Sequence, residues 1–497
     1  MIRFCFALAV CVWGPSWAQG ANEKRPSEDD LFGPAPSAPV EAAKPSAPAP
    51  GSTSEDRDTQ QMEAPRLTNR FDSNESSADP LKVGGTLYLR GFASMNLGDS
   101  FDKVHFSAPS LVDLYLDARP NERIRGMAVG RLTYDPTVSA TAGSPFSSLS
   151  SLGAGTTASA TAVAPSNPAV ALDQLWLNFD IARTVFVTVG RQKVKWGVGR
   201  LWTPTDFLNA TFRNPINPFD LRLGINAVKL HVPVESLGWN FYGYGLLDNA
   251  GPANMLGNLG GALRAEFVFP FVEIGLGGAW VKGRRPRYAL DISAGLGPID
   301  VYAETAIRDG RDFRMWRPTV ALDSSNQLSA SFDAYSLPSY ALQTTVGARW
   351  SFNYTDRNTA TIGAEYFNNP AGASSPLIYP WLILQGDYTP FYSGQHYLGI
   401  FATLPGLPGN LDWVTVLATN LLNLSDMSGL ARLDVFLRVL SFLQVEFFAS
   451  ANYGTRGGEF RFGLDLPPIA LPDGSVTAPL YVAPPVASVG MGLRISI

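Results

Sequence analysis

The sequence predicts an all-β fold, a transmembrane antiparallel β-barrel of about eighteen strands. Segments with an apolar residue at every second position follow one another from Leu81 to the C-terminus, as in strands with one face toward lipid. Only 16% of the residues are charged, yet no apolar run after residue 18 is long enough for a membrane helix. Lipid accepts only helices and closed sheets, because every main-chain polar group there needs a partner. A soluble jelly roll is the competing fold, but it would not present so many apolar outward faces.

The alternating segments define the predicted strands. Eighteen are counted, at residues 83–97, 109–119, 122–134, 171–181, 184–191, 224–234, 238–247, 261–269, 271–282, 286–296, 299–308, 339–354, 358–368, 395–404, 411–420, 428–439, 442–453 and 486–497. Residues 460–466 also alternate, and we place them in the last outer loop, because an even number brings both chain ends to the same side. Sixteen strands is the nearest alternative.

The connections between these segments alternate in length. The tight ones lie near residues 120–122, 182–183, 269–270, 297–298 and 355–357. The long ones lie at residues 135–170, 192–223, 309–338, 369–394 and 454–485. Short periplasmic turns and long outer loops are typical of a barrel in the outer membrane of a Gram-negative-type bacterium.

The last strand carries a second signal. From Val486 to Ile497 the odd positions are apolar and the even positions are small or polar. Its Gly492, Ile495 and Ile497 resemble the C-terminal insertion signal of outer-membrane barrels, although most of those end on Phe. The resemblance implies two partners, the outer-membrane lipid and the barrel-insertion machinery.

The N-terminus predicts export. A positive start, a short apolar stretch and Ser16-Trp17-Ala18 indicate a signal peptide over residues 1–18. Cys11 as a lipoprotein acylation site is the alternative, but Val10 is large for the position before it. The only cysteines are Cys5 and Cys11, so the mature chain has no disulfide or thiolate metal site.

Residues 19–80 differ in composition from the barrel at 81–497. They are rich in Pro, Ala, Ser, Glu and Asp and almost free of aromatic residues. Such a segment buries too little apolar area to offset its ordering entropy, so we expect a disordered periplasmic tail. It is either a plain spacer or a contact for periplasmic or export-complex proteins.

Strand parity also selects the residues that should face the lumen. A cation at the lipid midplane would cost about 2–4 kcal/mol, so charged side chains on the strands should point inward. The candidates are Asp113, Asp117, Arg123, Arg125, Arg131, Trp176, Asp180, Lys229, His231, Glu266, Arg349, Arg432, Arg438 and Arg494. Both signs occur, which predicts weak overall charge discrimination, or ion pairs that brace the wall.

One segment, Val189 to Val234, carries a distinctive pattern. It reads Gly190-Arg-Gln192, Trp196-Gly197, Asp206, Asn214-Pro215, Asn217-Pro218 and Asp220 before the next strand. This pattern resembles porin-like outer-membrane barrels over about 45 residues. The resemblance implies the barrel fold and leaves the solute open.

The loop within this segment is the candidate constriction. In trimeric general porins the third long loop folds into the barrel and narrows it, and residues 192–223 occupy that place. We expect a basic constriction whose tryptophans stack on anionic or sugar-like solutes and whose arginines bond them. The candidates are Arg191, Lys193, Lys195, Trp196, Arg200, Trp202, Asp206, Arg213, Asp220 and Arg222. The alternative is a loop that packs on the rim and stabilises the wall.

The remaining function classes are poorly supported. There is no basic domain for nucleic acid, the three histidines are far apart, and no hydrolase or metal motif appears, so we expect no enzyme and no cofactor. The sequence therefore predicts a channel, either for hydrophilic solutes or for a secreted polysaccharide. The alternative is a non-conducting anchor in an envelope-spanning assembly for surface adhesion or gliding motility.

Overall fold

The structure, a computed structural model, describes residues 80–137, 167–209, 211–217, 220–247, 259–322, 328–355, 358–409, 411–466 and 480–497. The predicted signal peptide and nearly all of the predicted tail lie outside these ranges. The strands are β1 Leu81–Asn96, β2 His105–Ser107, β3 Ser110–Asn121, β4 Ile124–Tyr134, β5 Ala169–Ile181, β6 Val185–Gln192, β7 Ile225–Val234, β8 Trp239–Leu247, β9 Leu259–Val268, β10 Val272–Trp280, β11 Arg287–Leu296, β12 Ile299–Asp309, β13 Met315–Leu322, β14 Leu328–Tyr335, β15 Tyr340–Asn353, β16 Thr359–Asn368, β17 His396–Leu407, β18 Leu411–Asn423, β19 Ser428–Arg438, β20 Leu443–Gly454, β21 Leu464–Leu466, β22 Leu480–Val482 and β23 Pro485–Ser496.

Eighteen of these strands form a closed antiparallel barrel. Each barrel strand pairs with its neighbour in the chain, and β23 returns to pair with β1 from Thr86 opposite Ser496 to Asn96 opposite Pro485. The short β2 pairs with the end of β1, while the hairpins β13–β14 and β21–β22 lie outside the barrel sheet. Closure leaves the barrel without an unpaired edge, which a lipid-embedded sheet requires.

The predicted fold class and strand count are confirmed. Each of the eighteen predicted segments is a barrel strand, with ends that differ by at most a few residues, and the alternative of sixteen strands is excluded. The stretch 460–466 lies outside the barrel sheet, in the 3-10 helix Glu459–Arg461 and in β21. Alternation with a period of two residues was enough to locate the strands, because each strand has one apolar and one polar face.

The two ends of the barrel differ in their connections. At one end, here called the turn end, the strands join through short turns such as Ala182-Arg183, where both residues have positive φ (54° and 58°). Positive φ at both central residues matches the twist of a two-residue hairpin. At the other end, here called the loop end, lie the 3-10 helices Phe101–Lys103, Gly310–Asp312, Pro376–Ile378 and Glu459–Arg461 and the α-helix α1, Tyr379–Gln385. No helix in the described ranges is long and apolar enough to cross a membrane.

The two faces of the wall separate by polarity. Leu114, Val170 and Val489 are 64%, 81% and 57% exposed on the outward face. On the inward face, acidic residues such as Asp291 and Glu304 are 3% and 1% exposed. Apolar side chains that are exposed outside and charged side chains that are covered inside are the reverse of a water-soluble sandwich. The outer surface is therefore suited to lipid.

Candidate functional site: a loop folded into the lumen

The segment between β6 and β7, residues 193–224, is here called the infolded loop. Its described residues have no regular secondary structure, yet most of them are buried or half-buried. Its main chain donates hydrogen bonds to Glu304 on β12 and Glu365 on β16, which are wall residues that face inward. The loop therefore lies within the lumen and reaches strands far from its own.

Glu304 is the first wall carboxylate that receives the loop. Its Oε2 accepts the N–H groups of Val198 at 2.6 Å and Gly199 at 3.0 Å, and its Oε1 accepts that of Thr205 at 3.4 Å. A loop inside a barrel cannot pair its N–H groups with a sheet, and a buried unpaired N–H costs about 1–3 kcal/mol. The carboxylate meets that need through charge-assisted hydrogen bonds.

Glu365 accepts hydrogen bonds from the next part of the loop. Its Oε2 accepts the N–H of Arg200 at 2.8 Å, and its Oε1 accepts those of Leu201 at 3.0 Å and Trp202 at 2.7 Å. The Tyr302 hydroxyl donates to Oε2 at 2.8 Å. Four donors on one carboxylate compensate for the removal of its charge from water.

Two glycines permit this close approach. Gly197 has φ of 95°, and a Cβ there would lie 2.3 Å from the Glu304 Oε2 atom. A Cβ on Gly199 would lie 2.1 Å from the Trp202 carbonyl oxygen. Neither position accepts a side chain without a shift of the main chain.

Trp196 fixes the first part of the loop against the wall of β7–β11. It is 1% exposed and packs with Tyr244 and Phe207, at ring-centroid distances of 5.8 and 5.3 Å. The Arg264 guanidinium lies 5.6 Å from its ring centroid. The small wall residue Ala289 belongs to the same buried cluster and leaves room for the indole.

Trp202 fixes the second part of the loop against β16 and β17. It is fully buried, and its ring lies 5.8 Å from that of Phe367 and 5.6 Å from that of Tyr397. Its Nε1–H donates to the carbonyl oxygen of Phe391 at 3.0 Å. This cluster, which also contains Leu201, fills the lumen next to β16–β19.

Three charged residues of the loop pair with one another. Arg222 donates to Asp206 Oδ2 at 2.8 Å and to Asp220 Oδ2 at 2.7 Å. The Arg222 partner holds the pKa of Asp220 below its usual range despite burial, and the two acids raise the pKa of Arg222. Lys193 pairs with Asp173 of β5 at 3.2 Å. The predicted excess of free positive charge is therefore reduced by internal pairing.

Two arginines of the loop remain close to each other. Arg213 donates to the carbonyl oxygen of Arg200 at 3.1 Å. The Arg200 Nη2 donates to Thr403 at 3.0 Å, and its guanidinium carbon lies 4.2 Å from the Phe401 ring centroid. Burial, together with the nearby Arg213, lowers the pKa of Arg200 to about 10.

The structure corrects part of the predicted constriction. Trp196 and Trp202 are wrong as solute-stacking residues, because both are buried and anchor the loop. Arg191 belongs to β6, opposite Leu175 and Asn226, and not to the loop. Lys195 is half-buried within the loop.

The candidate lumen residues of β3–β5 form ion pairs along the wall. Asp117 accepts Arg125 at 2.9 Å, and Arg131 donates to Asp113 at 2.7 Å. Trp176 lies 5.5 Å from the Arg125 guanidinium. At the turn end, Arg123 pairs with Asp180 at 2.9 Å.

The other candidate lumen residues lie on several strands. On β7, His231 Nε2 lies 2.9 Å from Asn240 Oδ1, and Lys229 lies 5.3 Å from the Tyr242 ring centroid. Three residues form ion pairs: Glu266 accepts Arg264 at 2.8 Å, Arg349 donates to Asp300 at 2.8 Å, and Arg432 pairs with Asp434. Arg438 is exposed at the end of β19, and Arg494 lies opposite Tyr88 and Gln444. The wall thus carries both signs, as parity predicted. No group of three His, Cys, Asp or Glu side chains in the described residues is placed to hold a metal ion.

Sequence reasoning missed a second inward cluster at the loop end, centred on Glu459. Its Oε2 accepts Tyr397 Oη at 2.6 Å and Asn423 Nδ2 at 2.8 Å, and its Oε1 accepts the N–H of Phe391 at 2.5 Å. Its own N–H donates to Asp426 at 2.8 Å. Burial, with the nearby Asp426, raises the pKa of Glu459 to about 8.

Asp173 was also missed, for a different reason. The β4–β5 register shifts between Val129 and Gly130, where Gln174 and Leu172 are their partners. This bulge leaves Asp173 outside the regular alternation, and its carboxylate accepts Arg131 at 3.2 Å. Parity alone does not reveal a bulge.

The comparisons with known proteins identify only similar folds. No family model matches this chain, and no curated protein does. Solved structures do match. A triple mutant of the Rhodopseudomonas blastica porin is 10% identical, covers 84% of this chain and 100% of its own, and has a TM-score of 0.38.

Two further structures give similar figures. OccK2 of Pseudomonas aeruginosa, in complex with glucuronate, is 10% identical, covers 84% and 98% of the two chains and has a TM-score of 0.46. OccAB3 of Acinetobacter baumannii is 9% identical, covers 84% and 99% and has a TM-score of 0.48. At these identities and scores, the likenesses assign neither a family nor a solute to this chain.

Proposed function

We propose that this chain is an outer-membrane channel for small hydrophilic solutes and that the infolded loop sets the width of its passage. One observation carries the proposal: the loop crosses the lumen and is bonded to the far wall through Glu304 and Glu365. A segment fixed in that way occupies cross-section that a bare barrel would leave to water. The passage would then follow the wall that the loop does not fill.

The charges of the wall support weak selectivity. Arg125 pairs with Asp117, and Arg131 pairs with Asp113, so neither sign dominates along β3 and β4. A passage lined by paired charges admits small polar solutes of either sign, with local rather than global preferences. The part-filled lumen favours small solutes over a secreted polysaccharide. The N-terminal tail would lie on the periplasmic side.

The test is the single-channel conductance of the full-length chain in planar bilayers. In the double variant Glu304→Gln and Glu365→Gln, each wall residue presents an amide with one oxygen in place of a carboxylate. Side-chain volume is kept, but acceptors are lost and an NH₂ donor faces the N–H groups of the loop. We expect a severalfold rise in conductance. Glu122→Gln, in the exposed turn between β3 and β4, is the matched control.

Two outcomes would overturn the proposal. Folded variants are recognised by slower gel migration after boiling and by their presence in outer-membrane fractions. Equal conductance of the folded double variant and the wild type would show that the loop does not limit passage. A folded wild-type barrel without conductance would favour the alternative function, a non-conducting anchor. Removal of residues 19–80 would then test for a periplasmic partner.

A further inference from the structure

A separate cavity of about 610 Å³ lies at the loop end. Its walls come from the β13–β14 hairpin, from the segment 369–395 and from Phe212 of the infolded loop. Its volume falls within the range of about 300–1,000 Å³ that is typical of small-molecule sites. It lies apart from the contacts of Glu304 and Glu365.

Arg308, at the end of β12, is the main polar feature of this cavity. Its Nη1 donates to Gln343 Oε1 at 3.1 Å, and its guanidinium carbon lies 4.5 Å from the Phe313 ring centroid. Its Nε is buried and has no hydrogen-bond partner. No carboxylate in the described residues lies within ion-pair distance of it. Because that Nε is covered by protein atoms, an oxyanion would meet the Nη groups of this fixed guanidinium.

The orientation of that guanidinium is set by a chain of amides. Gln343 Nε2 donates to Asn369 Oδ1 at 2.8 Å, and Asn369 Nδ2 donates to the carbonyl oxygen of Tyr392 at 2.7 Å. Since each amide nitrogen is committed, the Gln343 oxygen must face Arg308. The donor is thus positioned before a ligand arrives, which reduces the entropy cost of binding.

The other charges of the cavity leave a positive balance. Asp387 is the one acidic residue among the described lining residues. It accepts Trp316 Nε1 at 2.8 Å and lies 3.9 Å from Arg314 Nε, so it is already partnered. Arg317 also lines the cavity. An anion would enter with favourable electrostatics.

Aromatic rings provide the second recognition element. Phe212 stacks on Tyr392 with ring centroids 4.5 Å apart, and Trp316 and Tyr335 also line the cavity. Arg314 lies 4.4 Å from the Trp316 ring centroid, and Arg317 lies 5.7 Å from that of Tyr335. A ring that bears a carboxylate would pack against the faces that these two cations leave open.

We propose that this cavity binds a small cyclic carboxylate, with the carboxylate on Arg308 and the ring against the aromatic side chains. Both an aromatic acid and a sugar acid have this chemistry. The site does not depend on passage through the lumen, so it can be tested without a current.

The experiment measures equilibrium binding to the detergent-solubilised full-length chain by saturation-transfer NMR. The probes are benzoate, galacturonate and the neutral benzamide. We expect one of the two acids to bind and benzamide to bind at least tenfold more weakly. Arg308→Gln should weaken binding of the acid at least tenfold, whereas Arg308→Lys, which keeps the charge but not the fork, should have an intermediate effect. Arg438→Gln, at the turn end, is the matched control and should bind like the wild type.

The outcomes separate the parts of the proposal. Benzoate binding alone identifies an aromatic acid, and galacturonate binding alone identifies a sugar acid. Failure of both acids to bind, equal binding of benzoate and benzamide, or unchanged binding in a folded Arg308→Gln variant would overturn the site. Because no current is measured, a non-conducting barrel would leave this result intact.

Discussion

Two parts of the lumen wall use the same acidic residues in different ways. On β12 and β16, Glu304 and Glu365 accept main-chain N–H groups of the infolded loop. On β3, Asp113 and Asp117 accept arginines of the same wall. The first arrangement attaches another segment, while the second neutralises the wall within itself.

This difference shows what a buried carboxylate needs in order to hold a loop. An arginine partner satisfies much of this need locally and leaves fewer acceptor sites for a passing chain. Glu365 is instead satisfied by four donors, three of which are main-chain groups of the loop. A lumen-facing acid without a neighbouring cation is therefore better suited to accept the main-chain N–H groups of a loop.

The largest expected effect is on the filled part of the lumen. Trp202→Ala removes a fully buried indole and its hydrogen bond to Phe391, and it should lower the free energy of unfolding by about 3–5 kcal/mol. Urea unfolding in lipid vesicles measures this change. Trp413→Ala, at an outward position where the ring is 42% exposed, is the control and should lose less. Equal losses would show that the aromatic cluster does not stabilise the barrel.

The next effect concerns the ion-paired wall. Arg131→Met removes a partner of Asp113 and one of the two cations that pair with Asp173, and the loss should be about 3 kcal/mol because both acids stay in the wall. The triple variant that adds Asp113→Asn and Asp173→Asn should recover much of this loss, as measured by the same unfolding assay. No recovery would mean that Arg131 acts through packing rather than charge.

A pH effect should arise from the cluster at the loop end. The pKa of Glu459 is raised to about 8, above its unfolded value, so the folded chain retains a proton that the unfolded chain releases. Stability should therefore fall as pH rises from about 4.5 to 8, by at most about 1.4 kcal/mol per pH unit, and should level off above that.

Unfolding at several pH values measures this slope. Glu459→Gln should flatten it and should be more stable than the wild type in alkali, while Glu122→Gln should retain it. The same slope in Glu459→Gln and the wild type would assign the pH dependence to other groups.

The smallest effect is expected at the turn end of the ion-paired wall. Arg123 and Asp180 form a pair whose arginine side chain is 54% exposed. Solvent and salt screen such pairs, so Arg123→Gln should leave the unfolding midpoint unchanged within error. A clear shift that disappears in high salt would show that this pair stabilises the barrel after all.

The sequence predicted the barrel well because each strand contains its own evidence. In β3, for example, Leu114 and Leu116 alternate with Asp113 and Asp117, and nothing outside the strand is needed to assign the faces. Strand ends followed from the turn residues between them. Only local irregularities, such as the bulge at Asp173, departed from this rule.

The candidate site was less accessible to sequence reasoning. Its position in the third outer connection and its turn residues indicated that the loop could enter the lumen. Parity could not show which inward acids receive it, because Glu304 and Glu365 lie 99 to 165 residues away from their donors. Trp202 seemed available to a solute for the same reason: Phe367 and Tyr397, which cover it, are distant in sequence.

The long sequence separation between the infolded loop and its acceptors, Glu304 and Glu365, affects the order in which the barrel folds. Arg200 meets Glu365 only when β16 has curved round to face the strands that flank the loop, and so after most of the sheet has paired. Docking of the loop is therefore a late step of folding, completed when the barrel is nearly closed. We expect the two carboxylates to stay hydrated until then, so that the lumen is wider before the loop docks than after it.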